Sequence, residues 1–254
     1  MFSCMIKKIV YATLCLLLIS ACSKNTGDDD ALAVYQGMSE QTLYAKSLEA
    51  VKDKDYSSAI KRLEALDTLF PFSSHAQQSQ LYLIYSYFEN EEYGLSAAAS
   101  ERYIHLYPRD KNVDYAYYMK GVANFEQKRG SFARVFKLDA SWRDPGTQLI
   151  SYNDFAIVTK KFHTSRYYSD SLKRMIYLRN QFAQKELHIA KFHMKRKRYV
   201  AALERTRYVL KHYSQAPQAK QALVLSEKIN QLLHLTQAAK DDNAVRHDTY
   251  DSKS

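Results

Sequence analysis

The feature that most constrains this chain is a recurring interval of 14 residues between aromatic side chains. It separates Tyr56 from Phe70, Tyr93 from Tyr107 and Tyr199 from Tyr213. Three positions after each opening aromatic stands a small residue: Ala59, Ser96 and Ala202. The first two closing aromatics are followed by Pro71 and Pro108, and Phe70 and Tyr107 lie 37 residues apart. A small residue at a fixed offset marks a place where two helices cross closely, because a larger side chain would hold them apart. Proline after the closing aromatic ends the helix by withholding an N–H. With only six Gly and four Pro in 254 residues, the chain lacks the turn residues an all-β fold would require.

A helix hairpin recurring at this interval is the pattern of the tetratricopeptide repeat (TPR). It predicts an all-α chain of about five stacked hairpins over residues 39–235, forming a right-handed superhelical solenoid whose concave side is built mainly from the first helix of each hairpin. The later closing aromatics, Phe162 and Tyr213, follow at intervals of 55 and 51. The third unit therefore carries about 18 extra residues and the fourth about 14. The third insertion falls at 130–146 and contains Trp142 and Arg143-Asp144-Pro145. Residues 166–197 contain neither Gly nor Pro, so one long helix accounts for the fourth excess. A last helix is expected over 218–235, and the polar segment 236–254 reads as a disordered tail.

The N-terminus has a separate logic. Lys7 and Lys8 precede an apolar run at 9–19, too short to span a bilayer, and Ile19-Ser20-Ala21-Cys22 closes it. Apolar, small, small, Cys is the lipobox of bacterial lipoproteins. It predicts a signal peptide over 1–21 and diacylation of the Cys22 thiol; the alternative is an ordinary signal cut near Ala21, with Cys22 incidental. Two or three acyl chains would anchor the protein durably where one would not. Ser23 rather than Asp follows the cysteine, which points to the periplasmic face of the outer membrane. Residues 22–38, with Asp28-Asp29-Asp30 and two Gly, read as a lipidated terminus and tether, the 16 residues after Cys22 reaching roughly 50–58 Å.

Little suggests catalysis. Of three Cys, two lie in the signal and the third is the lipidation site, which leaves no thiol for chemistry. His188 and His193 are five apart, off the i, i+4 alignment a helical metal pair needs. There is no HExxH, no phosphate-binding Gly-rich loop and no nucleophile elbow. Glu91-Glu92 and Asp241-Asp242 read as solvated charge. The expectation is no enzyme, no cofactor and no metal. The net charge of +10, or +8 once Lys7 and Lys8 are removed, includes the run Lys195-Arg196-Lys197-Arg198. That run reads either as a binder of nucleic acid or anionic lipid, or as a solvated turn whose cations suit a helix C-terminus; in a periplasmic setting an acidic protein surface fits it better than DNA. The aromatics are more telling, with 21 Tyr and 11 Phe beside one Trp. Tyr44, Leu48 and Val51 share one helical face, as do Leu81, Tyr85 and Phe88. Tyr is suited to recognising peptides at low entropic cost.

Longer strings carry a more specific likeness. Leu63-Glu64-Ala65-Leu66-Asp67, Phe70-Pro71-Phe72-Ser73, Leu83-Ile84-Tyr85-Ser86-Tyr87, Asp114-Tyr115-Ala116-Tyr117-Tyr118, Arg143-Asp144-Pro145 and Arg174-Met175-Ile176-Tyr177-Leu178-Arg179-Asn180, together with the lipobox, resemble the BamD family of outer-membrane protein assembly lipoproteins. The resemblance implies a binding protein of the β-barrel assembly (Bam) complex. It implies that N-terminal repeats receive the C-terminal targeting strand of unfolded outer-membrane proteins, for which Tyr44, Leu48, Leu81, Tyr85 and Phe88 are the candidate residues. It implies that C-terminal repeats dock the periplasmic POTRA domain of a BamA-like barrel subunit through Arg205, that other Bam lipoproteins are further partners, and that nucleic acid is not one. Two departures stand out. Phe162-His163 and Tyr213-Ser214 replace the usual Tyr-Pro, so looser helix stops are expected there, and Glu204 beside Arg205 is a possible competing partner. Rival readings are a TPR lipoprotein of peptidoglycan or cell-division coordination, and a DNA-uptake competence lipoprotein.

Overall fold

A computed structural model describes residues 32–127 and 146–251. Among the described residues all regular structure is helical: α1 (Glu40–Lys52), α2 (Tyr56–Leu69), α3 (Ala76–Glu89), α4 (Tyr93–Leu106), α5 (Val113–Gln127), α6 (Gly146–Lys161), α7 (Tyr168–Lys195), α8 (Tyr199–His212) and α9 (Gln218–Asp251). The signal peptide, Cys22, and Gly130, Trp142 and Pro145 of the third-unit insertion lie outside the described residues. The chain divides into two compact units, one ending at Ala76 and one beginning at Gln77.

In the first unit α1 and α2 pack as a hairpin. Ser39 caps α1, its side chain accepting from the Thr42 N–H at 3.2 Å, and Asp55 caps α2 by accepting from Ser58 N–H at 3.1 Å. Leu43, Ala65 and Leu66 form the core, and Leu32, Tyr35 and Met38 pack against it. The expected tether to residue 38 is therefore already part of the folded unit from Leu32 onward, where apolar residues spaced by three present one face.

In the second unit, neighbouring helices from α4 to α9 pack in chain order, and α7 also touches α9. The small residues do what their spacing demands. Ser96 is fully buried and its hydroxyl donates to the Ile84 carbonyl at 2.9 Å, joining α3 to α4; Ala202 is fully buried, as is Ala59 in the first unit. The third hairpin uses the same device without its aromatic marker: buried Ser151 donates to the Gly121 carbonyl at 2.7 Å. The donor lies 12 residues from its acceptor in the second hairpin and 30 in the third, a difference of 18 that equals the insertion inferred from the sequence. A Cβ at Gly121 would come within 2.8 Å of the Phe155 ring, so this crossing admits only glycine without a shift. The fourth excess is the continuous 28-residue α7.

The loops repeat as closely as the helices. After each second helix the carbonyl of Phe70, Tyr107, Phe162 or Tyr213 accepts from the N–H three residues on, at 2.9–3.1 Å, and that residue's carbonyl accepts from the N–H three further on. Phe162-His163 and Tyr213-Ser214 make the same turn as the two Pro-containing sites, which corrects the expectation of looser stops: the backbone bonds, not the ring of proline, define the turn. Within hairpins, Lys54, Glu91 and Lys197 occupy the left-handed region (φ 63°, 61° and 57°), the residue position glycine usually fills at a helix C-terminus. The tail expected to be disordered over 236–254 is instead helical through Asp251, since no Gly or Pro interrupts α9 after Gln218.

Candidate functional site

In the first unit the α1 face carries Tyr44 and Leu48. Tyr44 is half-buried and stacks on the His75 ring at 4.2 Å between centroids. His75 Nδ1 lies 2.8 Å from Glu40 Oε1, and this hydrogen bond is the chief cause holding the Glu40 carboxyl below the usual carboxylate range. Leu48 lines an open depression of about 680 Å³ along α1 with Gln41, Thr42, Ala45, Lys46, Glu49 and Lys52. A second cavity, of about 510 Å³, lies between the segment bearing Leu32, Val34 and Tyr35 and the α2 residues Lys61, Glu64, Ala65 and Thr68. Sequence reasoning missed this cavity because it took that segment for tether. Phe72, in the turn after α2, is 99% exposed.

In the second unit, the α3 candidates separate. Leu81 is buried in the core, and Phe88 packs on the cluster of Val122, Phe125 and Phe155 and lies 5.3 Å from the Tyr93 ring. Those two side chains support the interior. Tyr85 is half-buried and interacts with Tyr115 of α5, which belongs to a tyrosine wall built from α5 and from Tyr167, the N-cap residue of α7. Tyr118 of α5 stacks on Tyr167 at 4.6 Å and 17°, and Tyr115 packs on Tyr167 at 5.6 Å. The Tyr118 hydroxyl donates to Asp170 at 2.8 Å, and Arg174 Nε donates to the same carboxylate at 2.6 Å. Burial and then the Asp170 hydrogen bond push the Tyr118 phenol up to about 12. Burial, followed by Tyr167 and Tyr85, pushes the Tyr115 phenol up as well. The string Asp114–Tyr118 carried a signal for this wall; its partner Tyr167 lay beyond an insertion that sequence could not fold.

Arg205 is about half-exposed on α8, and its Nη1 donates to Glu186 Oε2 of α7 at 3.1 Å. The partner is thus Glu186, one helix away, and Glu204 is exposed to solvent on the same helix. The ion pair points the guanidinium without burying it.

A third polar assembly is internal. Lys120 of α5 pairs with Glu101 of α4 and lies 3.2 Å from Asp154 of α6, which also accepts from Asn124. Burial raises the Asp154 carboxyl despite the attraction of Lys120. Burial also penalises the Lys120 ammonium, but the two acids outweigh it and raise its pKa. Three helices meet at this amine, which makes it a brace. Among the described residues, no group of three or more His, Cys, Asp or Glu is placed to hold a metal ion, and no helix is long and apolar enough to cross a membrane.

Helix hairpins with repeated turns, small residues at every crossing and tyrosines gathered on first helices define an all-α helical-repeat protein of TPR type. Comparison with known proteins narrows this further. The family model described as outer membrane lipoprotein (YfiO) matches residues 36–245, and the chain belongs to that family. The outer membrane protein assembly factor BamD of Neisseria gonorrhoeae is 32% identical over 240 residues, covering 94% of this chain and 90% of that protein. The protein of the same name from Neisseria meningitidis serogroup A is 33% identical over the same shares, and that of Vibrio cholerae is 33% identical over 77% of this chain and 81% of its own length.

Proposed function

We propose that this protein is a non-enzymatic docking scaffold for outer-membrane protein assembly, held at the periplasmic face of the outer membrane by acylated Cys22. The observation that carries the reading is the family match, which spans the repeats bearing every candidate surface. In this reading the targeting strand of an unfolded outer-membrane protein, ending in an aromatic residue, is received by first-helix side chains, for which each unit by itself offers candidates: Tyr44 and Leu48 in the first, and Tyr85, with Leu81 and Phe88 as the packing behind it, in the second. Half-buried tyrosine rings suit such a strand, since they offer large rigid area with a polar tip. Arg205, aimed by Glu186, contacts the POTRA domain of the BamA-like barrel subunit, and other Bam lipoproteins complete the complex.

Binding of a fluorescent peptide carrying a client's C-terminal strand tests the receiving surface. Tyr85→Ala is expected to weaken binding about tenfold, in line with loss of one aromatic anchor, while helicity stays unchanged. Equal affinity at intact helicity would remove Tyr85 from the surface.

A further inference from the structure

The turn between α7 and α8 differs in charge from its two structural equivalents. In all three hairpins the backbone is the same: Asp55, Glu92 and Arg198 N–H donate to the carbonyls of Ala50, Tyr87 and His193 at 2.9–3.0 Å, after a residue with positive φ. The four residues closing this turn are Lys-Asp-Lys-Asp at 52–55, Glu-Asn-Glu-Glu at 89–92 and Lys-Arg-Lys-Arg at 195–198. Identical geometry therefore does not call for cations.

Local helix electrostatics opposes some of them. Lys195 and Arg196 suit the C-terminal end of α7, but Arg198 is the N-cap of α8, where the helix dipole favours an acid and where Asp55 stands in the first hairpin. Arg198 makes no side-chain capping bond. The run 187–203 contains no acidic residue. Lys191, Lys195, Arg196, Lys197 and Arg198 are all exposed, and none makes an ion pair among the described residues, whereas Lys120, Arg174 and Arg205 all face acids. Charged groups with described side chains on α9, the helix packed beside α7 and α8, are Lys220, Glu227, Lys228 and His234, all solvent-exposed. Apolar side chains flank the cations: Phe192 is 40% exposed with Arg196 stacked 4.4 Å over its ring, and Val200 is 63% exposed.

We propose that this turn is a second, reversible membrane contact that binds the anionic headgroups of a phospholipid surface, with Phe192 and Val200 entering the interface. An exposed turn with four cations outside any ion pair, Lys191 one helical turn before it and two exposed apolar side chains fits a flat, negatively charged, partly apolar layer better than a peptide groove, and each basic residue at such a surface adds to binding. A lipid anchor gains permanence from a second signal of this kind. The inference rests on the membrane-surface reading above, but its test involves no protein partner and fails independently of it.

The test is flotation of the mature full chain carrying Cys22→Ser, which removes the acylated thiol, with vesicles of phosphatidylethanolamine and phosphatidylglycerol (about 3:1) or of phosphatidylcholine alone. The chain is expected to float with the anionic vesicles and not with the neutral ones, and to be released by salt. The pair Arg196→Ala/Lys197→Ala should lower partition about thirtyfold and Phe192→Ser about fivefold, with helicity unchanged. The control pair Lys160→Ala/Lys161→Ala, equal in net charge, should stay within twofold. Equal flotation with neutral vesicles, equal loss in the control pair, or unaltered flotation of the turn variants would overturn the proposal. So would loss of an acidic envelope protein from the turn variants with flotation intact, which would give the turn to a protein partner.

Discussion

Replacing Lys120 by Met removes the cation at which α4, α5 and α6 meet while keeping a side chain of similar length. The Glu101 side chain is 42% exposed, so losing its ion pair costs little after solvent screening. Asp154 is different: its side chain is 4% exposed and its carboxylate lies 3.2 Å from Nζ. At an effective dielectric of about 20 that attraction is about 5 kcal/mol in gross terms. Removing one member of a buried pair costs about 3–5 kcal/mol, because the other charge is left without compensation. The Asn124 amide still donates to Asp154, which places the expected loss near the lower figure, about 3 kcal/mol. For a chain of this size that corresponds to a fall in Tm of roughly 6–12 °C. Combining Lys120→Met with Asp154→Asn should recover most of the loss, since the neutral amide no longer needs a cation. The pH response has a definite sign. Burial already holds the Asp154 carboxyl above its ordinary value and Lys120 opposes this, so removing the cation raises it further; the folded state then takes up a proton before the unfolded chain, and the deficit shrinks as pH falls toward the ordinary carboxylate range. Urea and thermal melts followed by far-UV circular dichroism measure both effects. A single variant within about 0.5 kcal/mol of wild type, or a double variant no better than the single one, would refute the brace.

Two further outcomes follow from the packing. Gly121→Val places a branched side chain where even a Cβ would lie 2.8 Å from Phe155, so a loss of about 1–3 kcal/mol is expected in the same melts; unchanged stability would mean the α5–α6 crossing is wrong. In alkali, Tyr118 and Tyr213 are pushed up to about 12 from 10.0, chiefly by burial, Tyr103 and Tyr115 shift in the same direction, and Lys120 is raised from 10.5. Raised phenols stay neutral longer when folded, and the raised ammonium stays charged longer, so both contribute stability that is complete below about pH 10 and is lost between about 10 and 12. Phenolate absorbance and helicity should change together over that window, and full ionisation with helicity intact would contradict the burial of these rings.

What the sequence disclosed, it disclosed through short-range rules. Ala59, Ser96 and Ala202 lie at fixed distances from aromatics, and a helix crossing is decided by one small residue on a few neighbours. Ser151 escaped because Gln148, not an aromatic, stands three positions before it; its role appears only in the bond to Gly121. The tyrosine wall and the Lys120 brace are non-local, each assembled from helices separated by an insertion of unpredictable path. Leu81 and Phe88 share a helical face with Tyr85, yet a face broad enough for three residues has a buried edge, and theirs is that edge. Segment 32–38 was misread because Gly37 and the acidic run before it outweighed the spacing of Leu32, Tyr35 and Met38. Polarity suggested a disordered tail after Leu235, while the absence of Gly and Pro, the better local guide, let α9 continue.

Affinity purification from envelope extracts under mild detergent tests the scaffold reading most directly. The native chain should bring down a β-barrel membrane protein that carries periplasmic domains, and Arg205→Glu, facing Glu186 with like charge, should reduce its recovery at least tenfold with helicity unchanged. Recovery of no such protein, or equal recovery with the reversed charge, would contradict the account.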